Sequence, residues 1–120
     1  MSHPLDPLVR LMQTLQERAK AMPPGSYTTK LIEGGAEKIG SKIREEADEL
    51  IEAAESIEAT GESDQAGRDH FVYEAGDLIY HMMVMLAYKG VDLSEVANEL
   101  ARREGTSGLA EKASRDNPRN

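Results

Sequence analysis

Apolar residues recur every three or four positions along most of this chain, which is the period of an amphipathic helix. Asp6-Pro7 reads as an N-cap followed by proline at the first helical position. Leu8, Leu11, Met12 and Leu15 then carry one stripe to about Ala21, and Pro23-Pro24-Gly25 ends it. Ser26-Tyr27-Thr28 reads as a turn that caps a short helical piece through Ile32, which Gly34-Gly35 breaks. The spacing predicts a second helix over about Ala36 to Ala59, striped by Ala36, Ile39, Ile43, Ala47, Leu50, Ile51, Ala54 and Ile57. Thr60 to Gly67 is polar and reads as a connector. A third helix follows from about Arg68 to Lys89, with Gly90 at its end. Asp92 or Ser94 caps a fourth, which extends to about Arg103. The reading is all-α, a four-helix bundle over residues 1–104 with a polar, Gly-rich tail over 105–120. The chain carries no internal repeat and no low-complexity tract.

The third helix breaks the amphipathic rule. From Leu78 to Tyr88 it is apolar on every side. A soluble helix of that kind must be buried all round. The few other helices cover it only in part, so a second copy of the chain is its natural cover, and a homodimer is expected. The stretch is too short to span a bilayer and contains His81.

Composition narrows the class. One domain is expected of 120 residues, because two cores would be too small to be stable. Aromatics at 4% and the absence of Trp, against abundant Leu, Glu, Ala, Met and Lys, favour helix over sheet. The absence of Cys excludes disulfides and thiolate metal sites. A net charge of −8 argues against nucleic acid as a partner. It does not exclude an anionic substrate, because a bound divalent cation inverts the local field. No apolar run opens the chain, so neither a signal peptide nor a membrane span is expected, and cytoplasmic residence is the default.

The candidate chemistry lies in acidic residues beside the core stripes. With the apolar stripe of the second helix at 0°, Glu46 falls at about −80°, Lys42 at about −120°, Glu49 at about −140° and Glu45 at about 180°. The first three flank the core face rather than oppose it. On the third helix Glu74 and Asp77 are three residues apart and share a face, with His81 one turn beyond. Two such carboxylate pairs on antiparallel helices can converge on one cation. Hard oxygen ligands suit Mg²⁺, which in turn neutralises polyphosphate oxygens and activates water. Nothing nearby is an obvious covalent nucleophile, so direct attack by water is the simpler reading. Each feature taken alone also fits a blander account. Glu46 and Glu49 fit a solvated face, Glu74 and Asp77 a buried ion pair, His81 a satisfied core histidine, and Lys30, Lys38 and Lys42 ordinary surface lysines.

These residues match a pattern. The segments Ser26-Tyr-Thr-Thr-Lys-Leu31, Lys38-Ile39, Lys42 and Glu45-Glu46-x-x-Glu49 resemble the phosphoribosyl-ATP pyrophosphatase family. So do Glu74-Ala-Gly-Asp-Leu-Ile-Tyr-His81, Gly90-Val-Asp-Leu-Ser-Glu-Val96 and the tail Arg102-Arg103…Gly105-Thr-Ser-Gly108…Glu111-Lys-Ala-Ser-Arg115. The acidic pieces alone indicate only the wider all-α, MazG-like nucleotide pyrophosphatases. The Ser-Tyr-Thr turn and the tail make the narrower match, which runs from about Leu8 to Arg115. The resemblance implies an intertwined helical homodimer, dependence on Mg²⁺ and cleavage of phosphoribosyl-ATP to phosphoribosyl-AMP and pyrophosphate in histidine biosynthesis. It implies metal roles for Glu46, Glu49, Glu74 and Asp77. Glu45 is a weaker candidate that orients or deprotonates water. Substrate contacts are expected from Ser26, Tyr27, Thr28, Lys30, Lys38, Lys42 and His81. A phosphoribosyl-AMP cyclohydrolase, often fused to this domain, would here be a separate protein. Departures from the pattern are Arg44 and Asp48, where small or apolar residues are more usual, Gly76 inside a helix, and a long connector over 56–69. Two rivals stand beside this reading: a house-cleaning nucleoside triphosphate pyrophosphatase with a different base pocket, and a non-catalytic helical dimerisation module.

Overall fold

The computed structural model describes residues 2–105 together with Lys112, Ala113 and Arg115. The tail residues Thr106-Ser107-Gly108, Glu111 and Ser114 lie outside the described residues. Within them the chain is all-helical: α1 (Asp6–Ala21), α2 (Tyr27–Glu33), α3 (Gly35–Thr60), α4 (Gln65–Tyr88) and α5 (Leu93–Arg102). The short piece expected after Ser26 is a full helix, so five helices stand where four were expected.

Local chemistry sets the boundaries. Leu5, not Asp6, is the N-cap of α1, with Asp6 in its first turn. Met22 closes α1 in the left-handed conformation at φ 48°, its N–H bonded to the Arg18 carbonyl. The two prolines that follow cannot extend the helix. Ser26 caps α2 by accepting the Thr29 N–H at 3.4 Å. Gly35, at φ 71°, turns the chain between α2 and α3. A Cβ there would stand 3.4 Å from the Tyr88 hydroxyl as well as in a backbone region that L residues avoid.

The connector between α3 and α4 is shorter than expected. Asp64 caps α4 through the Gly67 N–H at 2.9 Å, and Thr60 Oγ1 donates to the same carboxylate at 2.8 Å. Gln65, Ala66 and Gly67 are therefore helical rather than loop, and α4 begins at Gln65. Four residues remain to reverse the chain, so α3 and α4 form a hairpin that is the most extensive contact in the fold. Asp92, rather than Ser94, caps α5, in a reciprocal box with Glu95. Asp92 also accepts from Gln16 Nε2 at 2.7 Å, which ties α1 to the start of α5.

The core joins α1, α2, the start of α3 and the second half of α4: Met12, Leu15, Leu31, Ile39, Met83, Val84 and Ala87. Its position at one end of the α3–α4 hairpin leaves the carboxylates further along the same two helices. The expectation that Leu78–Tyr88 is buried all round does not hold within one chain. His81, Met83, Val84 and Ala87 are buried, whereas Ile79 and Met82 are 41% and 49% exposed. α5 is amphipathic yet has no buried residue. No helix among the described residues is long and apolar enough to cross a membrane.

Candidate active site

The middle of the α3–α4 hairpin brings acids from both helices together. One carboxylate oxygen each from Glu46, Glu74 and Asp77 lies within 4.8 Å of the others. Glu49 is near enough to raise both Glu46 and Glu74, and it lines a groove together with Glu74. Glu74 is buried and Glu46 is half-buried.

Electrostatics make this group unfavourable as it stands. Burial, then the Glu49 carboxyl, then Asp77 and Glu74 push Glu46 up to about 7. Glu74 is also raised, by burial first and Glu49 second, with His70 acting weakly in the opposite direction. Glu46 Oε2 and Glu74 Oε2 are buried and have no hydrogen-bond partner among the described residues. Unpartnered buried carboxylate oxygens are expensive. A divalent cation with oxygen preference removes both costs, since it satisfies the orphaned oxygens and neutralises the repulsion. The donor set therefore fits Mg²⁺: oxygen only, acidic, converging and partly open to water.

Lys38, Lys42 and Glu45 lie on the neighbouring face of α3. Lys42 is half-buried and pairs with Glu45 at 3.4 Å. Lys38, Lys42 and Glu45 line an open groove of about 430 Å³ with Gly34, Glu37 and Ser41. Lys30 is exposed in the last turn of α2. Glu45 stands apart from the three-carboxylate group.

The Ser-Tyr-Thr turn divides. Ser26 is spent on the cap of α2. Thr28 is fully buried, 3.0 Å from the Tyr80 hydroxyl. Tyr27 is 47% exposed, and its hydroxyl lies 2.9 Å from His81 Nε2. Burial raises the Tyr27 phenol while Lys42 opposes the rise, so the ring lies within electrostatic reach of the lysine groove. His81 is buried, and its Nδ1 lies 2.8 Å from the Asp77 carbonyl oxygen. Both its ring nitrogens are thus engaged within the protein.

Three residues went unnoticed in the sequence. Glu52, Ser56 and His70 line a groove of about 370 Å³ with Glu49 and Glu74. His70 Nε2 is 3.7 Å from Glu74 Oε1. The signal existed: Glu52 is three residues after Glu49 and His70 four before Glu74, so both extend the acidic faces by one helical turn.

Residues 8–104 match the sequence model of the family described as phosphoribosyl-ATP pyrophosphohydrolase. The chain is 66% identical over 115 residues to a phosphoribosyl-ATP pyrophosphatase of Rhodopirellula baltica, covering 96% of this chain and 91% of that protein. It is 47% identical over 110 residues to the enzyme of that name from Novosphingobium aromaticivorans, covering 92% and 94% respectively.

Proposed function

The chain belongs to the phosphoribosyl-ATP pyrophosphohydrolase family, and from that premise we propose that it hydrolyses phosphoribosyl-ATP to phosphoribosyl-AMP and pyrophosphate, the second step of histidine biosynthesis. One observation carries the reading beyond the family match. Carboxylates from two helices converge with buried oxygens that nothing among the described residues satisfies.

Glu46, Glu49, Glu74 and Asp77 would hold Mg²⁺. When bound there, the metal supplies charge neutralisation for phosphate oxygens and acidifies a water. Lys38 and Lys42, in their groove beside the acids, bind the triphosphate as point charges. Lys30 and the exposed ring of Tyr27 extend that surface. Glu45, paired with Lys42 at 3.4 Å, orients the attacking water. One water adds across the anhydride between the α- and β-phosphates. The α-phosphate stays with the adenosine side, and pyrophosphate leaves.

The active unit is residues 1–104, followed by a tail over 105–120, and it works as a homodimer. Val72 and Ile79 lie two turns apart on one face of α4, 66% and 41% exposed, with Gly76 between them. Val72, Tyr73, Ile79, Met82 and Leu100 together leave more large apolar side chains uncovered than a stable monomer normally shows. The site of action is the cytoplasm, where a phosphoribosyl-AMP cyclohydrolase consumes the product.

The test is incubation with phosphoribosyl-ATP and Mg²⁺, reading pyrophosphate. Release from phosphoribosyl-ATP in preference to free nucleoside triphosphates is expected. The reverse preference would make this a house-cleaning pyrophosphatase, and no release from any of them would leave a helical dimerisation module. Sedimentation at micromolar concentration should find dimers, and a well-folded monomer would overturn the dimer.

A further inference from the structure

We propose that His81 is a positioning residue that couples the N-terminus of α2 to the metal-binding turn of α4 through one imidazole. The inference rests on the Mg²⁺ reading of the Glu46–Glu74–Asp77 group given above.

Each ring nitrogen has one partner, and the two partners determine the tautomer. The Asp77 carbonyl can only accept, so His81 Nδ1 carries the proton and donates to it at 2.8 Å. Nε2 is then a bare acceptor, and the Tyr27 hydroxyl donates to it at 2.9 Å. In the neutral ring the chain Tyr27 Oη–H to His81 to the Asp77 carbonyl therefore has one direction. The imidazole is buried and has no nitrogen left for a substrate.

Ring packing restricts the imidazole further. Tyr27 and Tyr80 both meet it edge-on, with centroids 5.9 Å and 5.2 Å away. Tyr80 is itself tied to α2 through Thr28 Oγ1 at 3.0 Å. Two adjacent residues of α2 are thus bonded to two adjacent residues of α4, one turn beyond Asp77. A ligand on a helix is placed by its own backbone, and the Asp77 carbonyl is the atom that His81 grips. Displacing this turn displaces the Asp77 carboxylate relative to Glu46 on the other helix. The arrangement parallels the rule that residues behind a metal ligand tune affinity by orienting it, here through the ligand's main chain.

The test is Mg²⁺ binding by titration calorimetry without substrate, followed by kinetics with phosphoribosyl-ATP. Tyr27→Phe keeps the half-exposed ring and removes only the donated proton. His81→Asn keeps a donor near the Nδ1 position but cannot reach Tyr27. Each should weaken Mg²⁺ binding by about tenfold, the lower end of what residues behind a metal ligand contribute. Because both break the same link, the double variant should be no weaker than either single one. Unchanged Mg²⁺ affinity with a lower melting temperature would make the pair ordinary core and overturn the proposal. Unchanged Mg²⁺ affinity with a raised KM for phosphoribosyl-ATP would make His81 or the Tyr27 hydroxyl a substrate contact and overturn it equally. Should His81→Asn fail to fold, Tyr27→Phe alone decides. Failure of the wild-type protein to bind Mg²⁺ would remove the metal reading itself and this inference with it.

Discussion

The core end of the α3–α4 hairpin and the acidic stretch at its middle are built from the same helices but obey opposite rules. At the core end Met12, Leu15, Leu31, Ile39, Met83 and Val84 are sealed to 2% exposure or less. Of the buried polar side chains beside it, Thr28 and His81 are bonded, and Thr29 leaves only a neutral hydroxyl without a partner among the described residues. In the acidic stretch buried oxygens of Glu46 and Glu74 face like charges and have no hydrogen-bond partner among the described residues. The core end lowers the free energy of the fold whatever the solution contains. The acidic stretch raises it until a cation arrives. Stability and function are thus separated along one pair of helices, and the acidic stretch is affordable because the core end is dense.

Substituting one residue in each region should break this contrast in opposite ways. Asp77→Asn is nearly isosteric and removes one charge. Its loss of activity should exceed the roughly 10–100-fold that mutations behind a metal ligand cause. The apo melting temperature should rise, and the stabilisation by Mg²⁺ should disappear. Full pyrophosphate release by this variant would refute its role as a ligand, and a less stable apo variant would mean that Asp77 holds the fold.

Leu31→Ala at the core end should do the reverse. Leu31 is fully buried between helices. Its truncation should cost about 2–5 kcal/mol in urea unfolding, through lost transfer energy and the cavity left behind. Activity per folded molecule, and the Mg²⁺ needed for half of it, should stay near wild type. A large change in the metal requirement would mean that the two regions are not separable.

A smaller effect should appear with pH. Glu46 is raised from 4.5 to about 7, and Glu74 is raised as well. A carboxyl with a raised value in the fold favours the protonated form. Its contribution is full below its ordinary value and is lost as pH rises through the folded value. The apo protein should therefore melt lower at pH 8 than at pH 5.5. Asp64, Asp92 and Glu99 are held low by their hydrogen bonds, Glu99 at about 2, so their contributions change only in more acid solution. Saturating Mg²⁺ should flatten the slope between pH 5.5 and 8. A melting temperature that rises with pH without metal would remove the like-charge account.

Much of this contrast is legible in the chain. The 3.6-residue period located the helices, because which residues face the core follows from helix geometry alone. Glu46, Glu74 and Asp77 were visible as acids flanking apolar stripes, since a carboxylate there must meet another element or a cation. Boundaries were less legible. Asp64 was a cap in plain sight, but Gly67 three residues later read as loop. The glycine sits in the first turn, where its N–H meets the Asp64 carboxylate.

The sequence by itself determined the helical class, the acidic pairs and the sites where the chain turns, because these depend on spacing within one element. Only the tertiary structure decided which side chains meet across elements. Lys42 points along α3 to Glu45, Thr28 goes inward to Tyr80, and His81 spends both nitrogens on Tyr27 and Asp77. No periodicity encodes those partners: Tyr27 and His81 are far apart in sequence and become neighbours only when α2 docks on α4. The exposed side of Leu78–Tyr88 is of the same kind. The sequence could say that an apolar helix needs cover, but the packing of α1, α2 and α3 decided which of its faces a single chain leaves open.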